Sequence, residues 1–133
     1  MVNPLIRLYD ALGGRFGDLS RPQMRLMMKL TGAAPTISEL AESLNISSPG
    51  VTQMIDKLQA KGYVERQSHE RDQRLVRVQV TGIGRQALAV AREAFEHRVE
   101  EVIQPLDSLE KEQFLSLLAK LENHLDHSTT RTL

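Results

Sequence analysis

The chain has 133 residues, of which 41% are apolar and 26% charged, with no Cys and a formal net charge of zero. This length fits one domain, and the absence of Cys excludes disulfides, thiolate metal ligands and cysteine nucleophiles. No apolar run is long enough to span a membrane and the N-terminal stretch lacks a secretory-signal pattern, so we expect a cytoplasmic protein without membrane contact.

The charges are distributed unevenly along the chain. Residues 45–85 contain seven Lys or Arg against four Asp or Glu, whereas residues 86–133 contain five against nine. The middle of the chain is therefore basic and its end is acidic. This asymmetry indicates a partner such as nucleic acid only if the basic stretch forms one surface, and a solvated mixed surface is the alternative.

The first half of the chain reads as a series of short helices, which we predict over 4–16, 20–31, 36–44 and 47–62. Two of these helix starts are indicated by an N-cap residue that is followed three positions later by Gln or Glu. The two side chains together accept hydrogen bonds from backbone N–H groups that the helix start would otherwise leave unpaired. These pairs are Ser20 with Gln23 and Thr36 with Glu39, and Asp107 with Glu110 repeats the pattern near the end.

After Gly62 the pattern changes to the two-residue alternation of strands. Residues 63–80 predict a β-hairpin in which Val76, Val78 and Val80 face a core. Helical periodicity returns from Thr81 until Pro105, and a last helix is predicted over 107–127. Helices 36–44 and 47–62 are joined by a short turn and followed directly by the hairpin, an order typical of a winged helix-turn-helix.

The start of helix 47–62 carries little side-chain bulk, since it reads Ser-Ser-Pro-Gly. A backbone with small side chains can approach a partner closely, and the positive end of a helix suits a phosphate. In helix-turn-helix proteins the second helix enters the major groove, so Ser48, Thr52 and Gln53 are our candidates for reading bases. The alternative is ordinary helix-start chemistry with a solvated polar face.

The hairpin favours the first interpretation because it is rich in arginine. Arg66, Arg71 and Arg74 lie within nine residues of one another at its predicted tip, with Asp72 placed to orient a guanidinium. An Arg on such a wing can enter the adjacent minor groove. The full set of predicted DNA-contacting residues is Ser47, Ser48, Pro49, Thr52, Gln53, Lys57, Arg66, Arg71, Asp72 and Arg74.

Three stretches together resemble the multiple-antibiotic-resistance regulator (MarR) family of winged-helix transcription factors. They are "LSRPQ" at 19–23, "TISELAESLNISSPGVTQMIDKLQAKGYVER" at 36–66, and "RDQRLVRVQVTGIGRQAL" at 71–88 with its Asp-x-Arg signature. The resemblance implies a mainly α fold with a small β-hairpin wing, as one 1–133 domain. In it, a winged helix-turn-helix core at about 20–85 is flanked by dimerisation helices at about 1–18 and 86–127.

The same resemblance implies a function. A homodimer would bind a pseudo-palindromic double-stranded DNA operator, with helix 47–62 in the major groove and wing 63–80 at the minor groove. Members usually repress, and many release DNA when a small aromatic or anionic effector binds. This chain departs from the family at Gln53, where many members carry Arg, and its lack of Cys excludes peroxide sensing.

Two further sets of residues raise separate possibilities. An effector pocket could be lined by Tyr9, Phe16, Met24, Met27, Met28 and Phe95, although adaptable core packing is the alternative role for the methionines. His97, His124 and His127 could make a metal-responsive regulator, but three His without a fixed geometry are more often solvated. We therefore expect no metal and no cofactor.

The remaining alternatives concern the class of protein. The sequence has no nucleophile motif and no phosphate-cradling loop, and Gly13-Gly14 fits the end of a helix, so we do not expect an enzyme. A winged helix used for protein contact in place of DNA contact is the more serious alternative.

Overall fold

The computed structural model describes residues 3–30, 32–69 and 72–131, with the backbone alone for 68, 69, 72–74 and 127–131. The fold is mainly α-helical with a small antiparallel hairpin. Its elements are, in chain order, α1 (Pro4–Ala11), β1 (Arg15–Phe16), β2 (Leu19–Ser20), α2 (Arg21–Met28), α3 (Ile37–Leu44), α4 (Ser48–Ala60), β3 (Val64–His69), β4 (Asp72–Val80), α5 (Gly82–Ile103) and α6 (Ser108–Arg131).

The chain divides into two compact units, Met1–His97 and Arg98–Leu133. The first unit holds the hydrophobic core, which gathers apolar side chains from β1 through α5. The largest side chains with essentially no exposure are those of Leu19, Leu26, Met27, Leu40, Val51, Ile55, Leu58, Val64 and Val78. No helix in the described ranges is both long and apolar enough to cross a membrane.

The first predicted helix, 4–16, is wrong in its second half. Asn3 caps α1 by accepting a hydrogen bond from the Leu5 N–H at 2.8 Å, but α1 ends at Ala11. Gly13 takes the left-handed conformation with a φ of 86°, which stops the helix. The chain then forms a small hairpin in which Phe16 pairs with Leu19.

The predicted start of the next helix is confirmed. The hydroxyl of Ser20 accepts a hydrogen bond from the Gln23 N–H at 3.3 Å, and the Gln23 side chain accepts one from the Ser20 N–H at 2.9 Å. Both bonds satisfy groups that a helix N-terminus leaves unpaired. The helix α2 therefore begins directly after β2, with no linking loop.

The predicted helix-turn-helix is formed by α3 and α4, and the turn between them rests on one residue. Asn45 adopts a left-handed conformation with a φ of 55°. Its N–H donates to the Glu42 carbonyl, and the N–H of Ile46 donates to the Ala41 carbonyl at 3.0 Å. These paired bonds end α3 and turn the chain sharply into α4.

The wing is the antiparallel pair of β3 and β4, in register from Val64 opposite Val80 to Ser68 opposite Val76. Val78 and Val80 are buried, as the alternation predicts, whereas Val76 is only half-buried. A third segment joins the sheet, because Thr36 bridges to Arg77 and the Val78 N–H donates to the Pro35 carbonyl at 2.9 Å. The sequence prediction did not include this contact.

Thr81 and Gly84 join the base of the wing to α5. The Thr81 hydroxyl donates to the Gly62 carbonyl at 2.6 Å and accepts from the Gly84 N–H at 3.0 Å. A Cβ added at Gly84 would lie only 2.0 Å from the Tyr63 carbonyl oxygen. The Thr-x-x-Gly spacing is therefore required by a close approach between two backbone segments.

The second unit consists of the end of α5 and the helix α6. Asp107 and Glu110 form the predicted capping pair, with reciprocal bonds of 3.0 and 2.8 Å. Much of the apolar surface of α6 faces outward in this single chain. Its exposed leucines are Leu109, Leu115, Leu117, Leu118, Leu121 and Leu125.

Candidate nucleic-acid interface

The helix α4 presents one buried face and one open face. Val51, Ile55 and Leu58 are fully buried, which anchors the helix to the core of the first unit. On the opposite side Gln53, Asp56 and Lys57 are exposed, and Thr52 is half-buried. The apolar side fixes the helix, so the polar side keeps a defined orientation toward an external partner.

The small residues at the start of α4 have an internal role as well. The Ser47 hydroxyl caps the helix by accepting from the Gly50 N–H at 3.1 Å, and a Cβ at Gly50 would lie 3.1 Å from the same oxygen. The Val51 N–H donates to the Ser47 carbonyl, and Pro49 has no N–H. The backbone N–H of Ser48, which also lies in this first turn, takes part in neither of these two hydrogen bonds.

The predicted wing arginines differ in what the structure describes. Arg71 lies outside the described residues, and the side chains of Asp72 and Arg74 lie outside the described side chains. Their contact with DNA stays a prediction.

Arg66 lies in mid-strand and not at the tip, because β3 continues to His69 and pairs Arg66 with Val78. Its guanidinium reaches back to α4, where it contacts the Asp56 carboxylate at 2.5 Å and the Gln59 side-chain oxygen. The tertiary fold thus brings together a wing residue and two residues of α4 that the sequence did not link.

Several basic residues of the 45–85 stretch are used within the molecule. Arg77 donates to the Ala34 carbonyl at 2.8 Å, and Lys61 lies 3.2 Å from the Asp18 carboxylate. Arg66 is occupied by α4, as described above. Two of these cations, Lys61 and Arg66, are therefore paired with carboxylates, whereas the hydrogen bond of Arg77 to a carbonyl leaves its positive charge in place.

Asp18 connects the β1–β2 turn with the end of α4. Its carboxylate accepts a hydrogen bond from the Tyr63 hydroxyl at 2.8 Å and pairs with Lys61. The Tyr63 hydrogen bond, followed by Lys61, lowers the pKa of Asp18, and the same bond raises the pKa of Tyr63. No local sequence signal points to this cluster, because Asp18 lies more than forty residues before both Lys61 and Tyr63.

A cavity of about 500 Å³ lies in the first unit. Five of the six residues predicted for an effector pocket line it, namely Tyr9, Phe16, Met24, Met28 and Phe95. Met27 instead is fully buried in the core and lines a different cavity, of about 570 Å³. The rings of Phe16 and Phe95 meet edge to face with centroids 5.1 Å apart.

Three arginines also line the cavity of about 500 Å³, and the sequence prediction missed them. They are Arg21, Arg25 and Arg92, with Glu96 as the acidic neighbour. The guanidinium of Arg21 lies 3.8 Å from the centroid of the Tyr9 ring and donates to the Tyr9 carbonyl at 3.0 Å. The cavity thus combines aromatic and thioether surface with positive charge.

The three histidines do not form a described metal site. Across the described side chains, no group of three or more His, Asp or Glu is placed to hold a metal ion. The side chain of His127 lies outside the described side chains.

A helix-turn-helix followed by a two-stranded wing, with an anchored second helix and an open polar face, defines a winged-helix protein. The MarR family model matches residues 19–76. The chain is 31% identical over 111 residues to the uncharacterised HTH-type transcriptional regulator YfiV of Bacillus subtilis, an alignment that covers 80% of this chain and 69% of that protein. This chain belongs to the MarR family of transcriptional regulators.

Two further comparisons concern a second relative and the fold. The chain is 27% identical over 90 residues to the uncharacterised regulator YdgJ of Bacillus subtilis, covering 68% of this chain. It spans about half of that relative's length, 55%. A crystal structure of MarR superposes with a TM-score of 0.80 over 92% of this chain and 93% of that one, and at 16% identity it supports the fold alone.

Proposed function

We propose that this protein is a non-enzymatic regulator that binds double-stranded DNA through the open face of α4. The observation that carries the proposal is the division of α4 into a buried face of Val51, Ile55 and Leu58 and an exposed polar face. A helix held in this way can enter a major groove with a fixed orientation. Because its target is DNA, we infer that the protein acts in the cytoplasm.

Within α4 we assign the readout of bases to Thr52 and Gln53. Ser48, the third candidate from the sequence, is assigned to phosphate contact instead, because it lies in the first turn of the helix. A Gln side chain can donate to and accept from adenine in the major groove, and a Thr methyl can contact a thymine methyl. Phosphate contacts are suited to the hydroxyls of Ser47 and Ser48 and to the ammonium group of Lys57. Pro49 adds little side-chain bulk, so the start of α4 can approach the DNA closely. The shared position of these residues at the start and on the open face of α4 supports this division of roles.

For the wing we assign minor-groove or phosphate contact to Arg71 and Arg74, with Asp72 orienting a guanidinium. The basis is the sequence, since an arginine-rich hairpin tip next to a recognition helix suits the negative potential of a minor groove. Arg74→Ala should therefore weaken binding to duplexes of all sequences.

We further propose that the active form is a homodimer. Leu5, Ile6, Leu8 and Tyr9 of α1 and the leucines of α6 are exposed in the single chain, which is more apolar surface than a monomer normally leaves in water. A twofold dimer would place its recognition helices about 34–36 Å apart on a pseudo-palindromic operator. The terminal helices would then be dimerisation elements flanking the winged-helix core.

We last propose that a small aromatic anion regulates the protein. In this scheme the protein represses transcription until the anion binds as an effector. Support comes from the cavity of about 500 Å³, where Phe16, Phe95 and Met24 would contact an aromatic ring and Arg25 and Arg92 a carboxylate. Benzoate serves as a probe. It should raise the melting temperature of the wild type, and Arg25→Gln should reduce that rise more than the control Lys29→Gln does.

DNA binding is tested with duplexes selected by the wild-type protein from a random library. The logarithm of the affinity should fall linearly with the logarithm of salt concentration, with a slope of about −0.9 per phosphate neutralised. Gln53→Ala should cost about 1–3 kcal/mol and relax preference at one base pair, whereas the exposed control Gln104→Ala should change nothing. Failure to retain any duplex, or a flat salt response, would favour protein contact.

A further inference from the structure

An acidic side chain lies on the open face of α4, where negative charge opposes the approach of DNA. Asp56 is three residues from Gln53 and next to Lys57, and 62% of its side chain is exposed. A carboxylate facing phosphates costs binding free energy through like-charge repulsion. Asp56 therefore weakens DNA binding unless a neighbouring cation neutralises it.

A contact from the wing provides such a cation. The Arg66 guanidinium spans from β3 to α4, with Nη2 lying 2.5 Å from an Asp56 carboxylate oxygen and Nη1 donating to the Gln59 side chain. Its side chain is only 28% exposed, about half the value for Asp56. Because the planar guanidinium is held by two side chains of the same helix, it fixes both the distance between β3 and α4 and their relative orientation.

The backbone of Arg66 is itself held, because it pairs with Val78 near the middle of the wing. Val78 is fully buried and also bonds to the segment before α3 through the Pro35 carbonyl. A side chain that leaves this fixed point and ends on α4 therefore links two elements that would both have to meet one duplex.

We propose that Asp56 and Arg66 are positioning residues that set the angle between the recognition helix and the wing. The ion pair also neutralises the carboxylate on the DNA-facing side. Arg66 then acts through α4 and does not contact a phosphate. This inference rests on the proposed DNA binding and assigns a source of specificity within it.

The proposal predicts opposite effects of one substitution on two kinds of DNA. Asp56→Asn removes a negative charge, so affinity for unselected duplex should rise slightly. It also releases Arg66 and loosens the wing, so affinity for the selected duplex should fall. The ratio of the two affinities should decrease about threefold to tenfold, which lies within the range of coupling between neighbouring groups. Repulsion alone would raise both affinities together.

The experiment uses the full chain, with a duplex selected from a random library by the wild type and a mixed genomic fragment pool as the unselected probe. Glu65→Gln is the matched control, because Glu65 is an exposed carboxylate next to Arg66 in β3 and is not part of the ion pair. It should raise both affinities and leave their ratio unchanged. Melting temperatures confirm that every variant is folded.

Two further measurements separate positioning from phosphate contact. Arg66→Gln should lower affinity for the selected duplex but leave the slope of affinity against salt unchanged. The double variant Arg66→Gln/Asp56→Asn should bind the selected duplex no more weakly than the single variant with the lower affinity. A salt slope reduced by about 0.9 in Arg66→Gln, additive effects in the double variant, or a ratio unchanged in Asp56→Asn would overturn the proposal. A wild type that selects no duplex would instead end the proposed function.

Discussion

Among the glycines, Gly84 is the one whose added Cβ would meet the closest neighbour. A Cβ at this position would lie 2.0 Å from the Tyr63 carbonyl oxygen, which cannot move without shifting the base of the wing. We expect Gly84→Ala to lower the free energy of unfolding by about 2 kcal/mol or more, as forced overpacking does. Gly82→Ala is the control, since nothing lies within 4 Å of its added Cβ. Urea denaturation of both variants measures the difference, and equal stability would contradict the close contact.

Asp18 gives a pH-dependent expectation. Its pKa is lowered below the ordinary value of 3.8 by the Tyr63 hydroxyl and by Lys61. A lowered folded-state pKa stabilises the protein above the ordinary pKa, and this contribution is lost as pH falls through the folded-state value. The melting temperature of Asp18→Asn should therefore lie below that of the wild type at neutral pH. The two melting temperatures should converge in acid, and a constant difference down to low pH would contradict the assignment.

Residues whose partners are near in sequence were predictable, and those with distant partners were not. Ser20 with Gln23 and Asp107 with Glu110 were read correctly because a capping bond spans three residues. The link of Arg66 to Asp56 spans ten residues and depends on how β3 packs beside α4. Arginine binds phosphates as well as carboxylates, so the residue type of Arg66 was compatible with either partner. The sequence prediction chose a DNA contact because the carboxylate of Asp56 was not known to be near.

At the scale of elements, the turn between α3 and α4 depends on the left-handed Asn45. Asn tolerates this conformation better than Ala, and Gly better still. Asn45→Ala should lower the free energy of unfolding by about 1–2 kcal/mol. Asn45→Gly should be neutral or stabilising, because it relieves the same strain. Thermal or urea unfolding of the two variants gives the comparison, and the reverse order of stability would contradict a strained turn.

The helix boundaries show where periodicity fails as a guide. Phe16 has the spacing of a helical residue, yet Gly13 ends α1 and the chain enters the β1–β2 hairpin, where Phe16 is buried. Two-residue strands contain too few residues to show an alternation. The bridge from Thr36 to Arg77 was missed for the same reason, since a single bridge leaves no pattern in the chain.

At the scale of the whole molecule, the exposed leucines of α6 predict the behaviour of the protein in solution. Leu117→Glu should weaken the proposed dimer by roughly 100-fold or more, because each twofold contact loses the burial of two leucines. Glu122→Gln, an exposed change on the same helix, should leave it unaffected. Size-exclusion chromatography with light scattering measures the masses. A monomeric wild type, or a dimer that survives Leu117→Glu, would contradict this use of α6.

The proposed effector cavity was partly predictable at this scale. Aromatic and methionine side chains pointed to five of the lining residues, because these types commonly line apolar cavities. Arg25 and Arg92 were missed, since a basic residue on an amphipathic helix reads as solvated until the packing of α2 and α5 is known. Met27 was misplaced for a related reason. It differs from Met28 by one position, and a helix turns consecutive residues about 100° apart.

Two left-handed residues lie on either side of α4, namely Asn45 at the end of α3 and Gly62 just after α4. After Gly62, the Tyr63 N–H donates to the Leu58 carbonyl at 2.9 Å. The number of residues between Asn45 and Gly62 is therefore fixed by the fold. Inserting one residue in the middle of α4 would rotate its first half by about 100° against its second, and turn Gln53 or Leu58 to the wrong side. If the proposed DNA binding holds, new sequence preferences should thus arise by exchange of side chains and not by change of helix length.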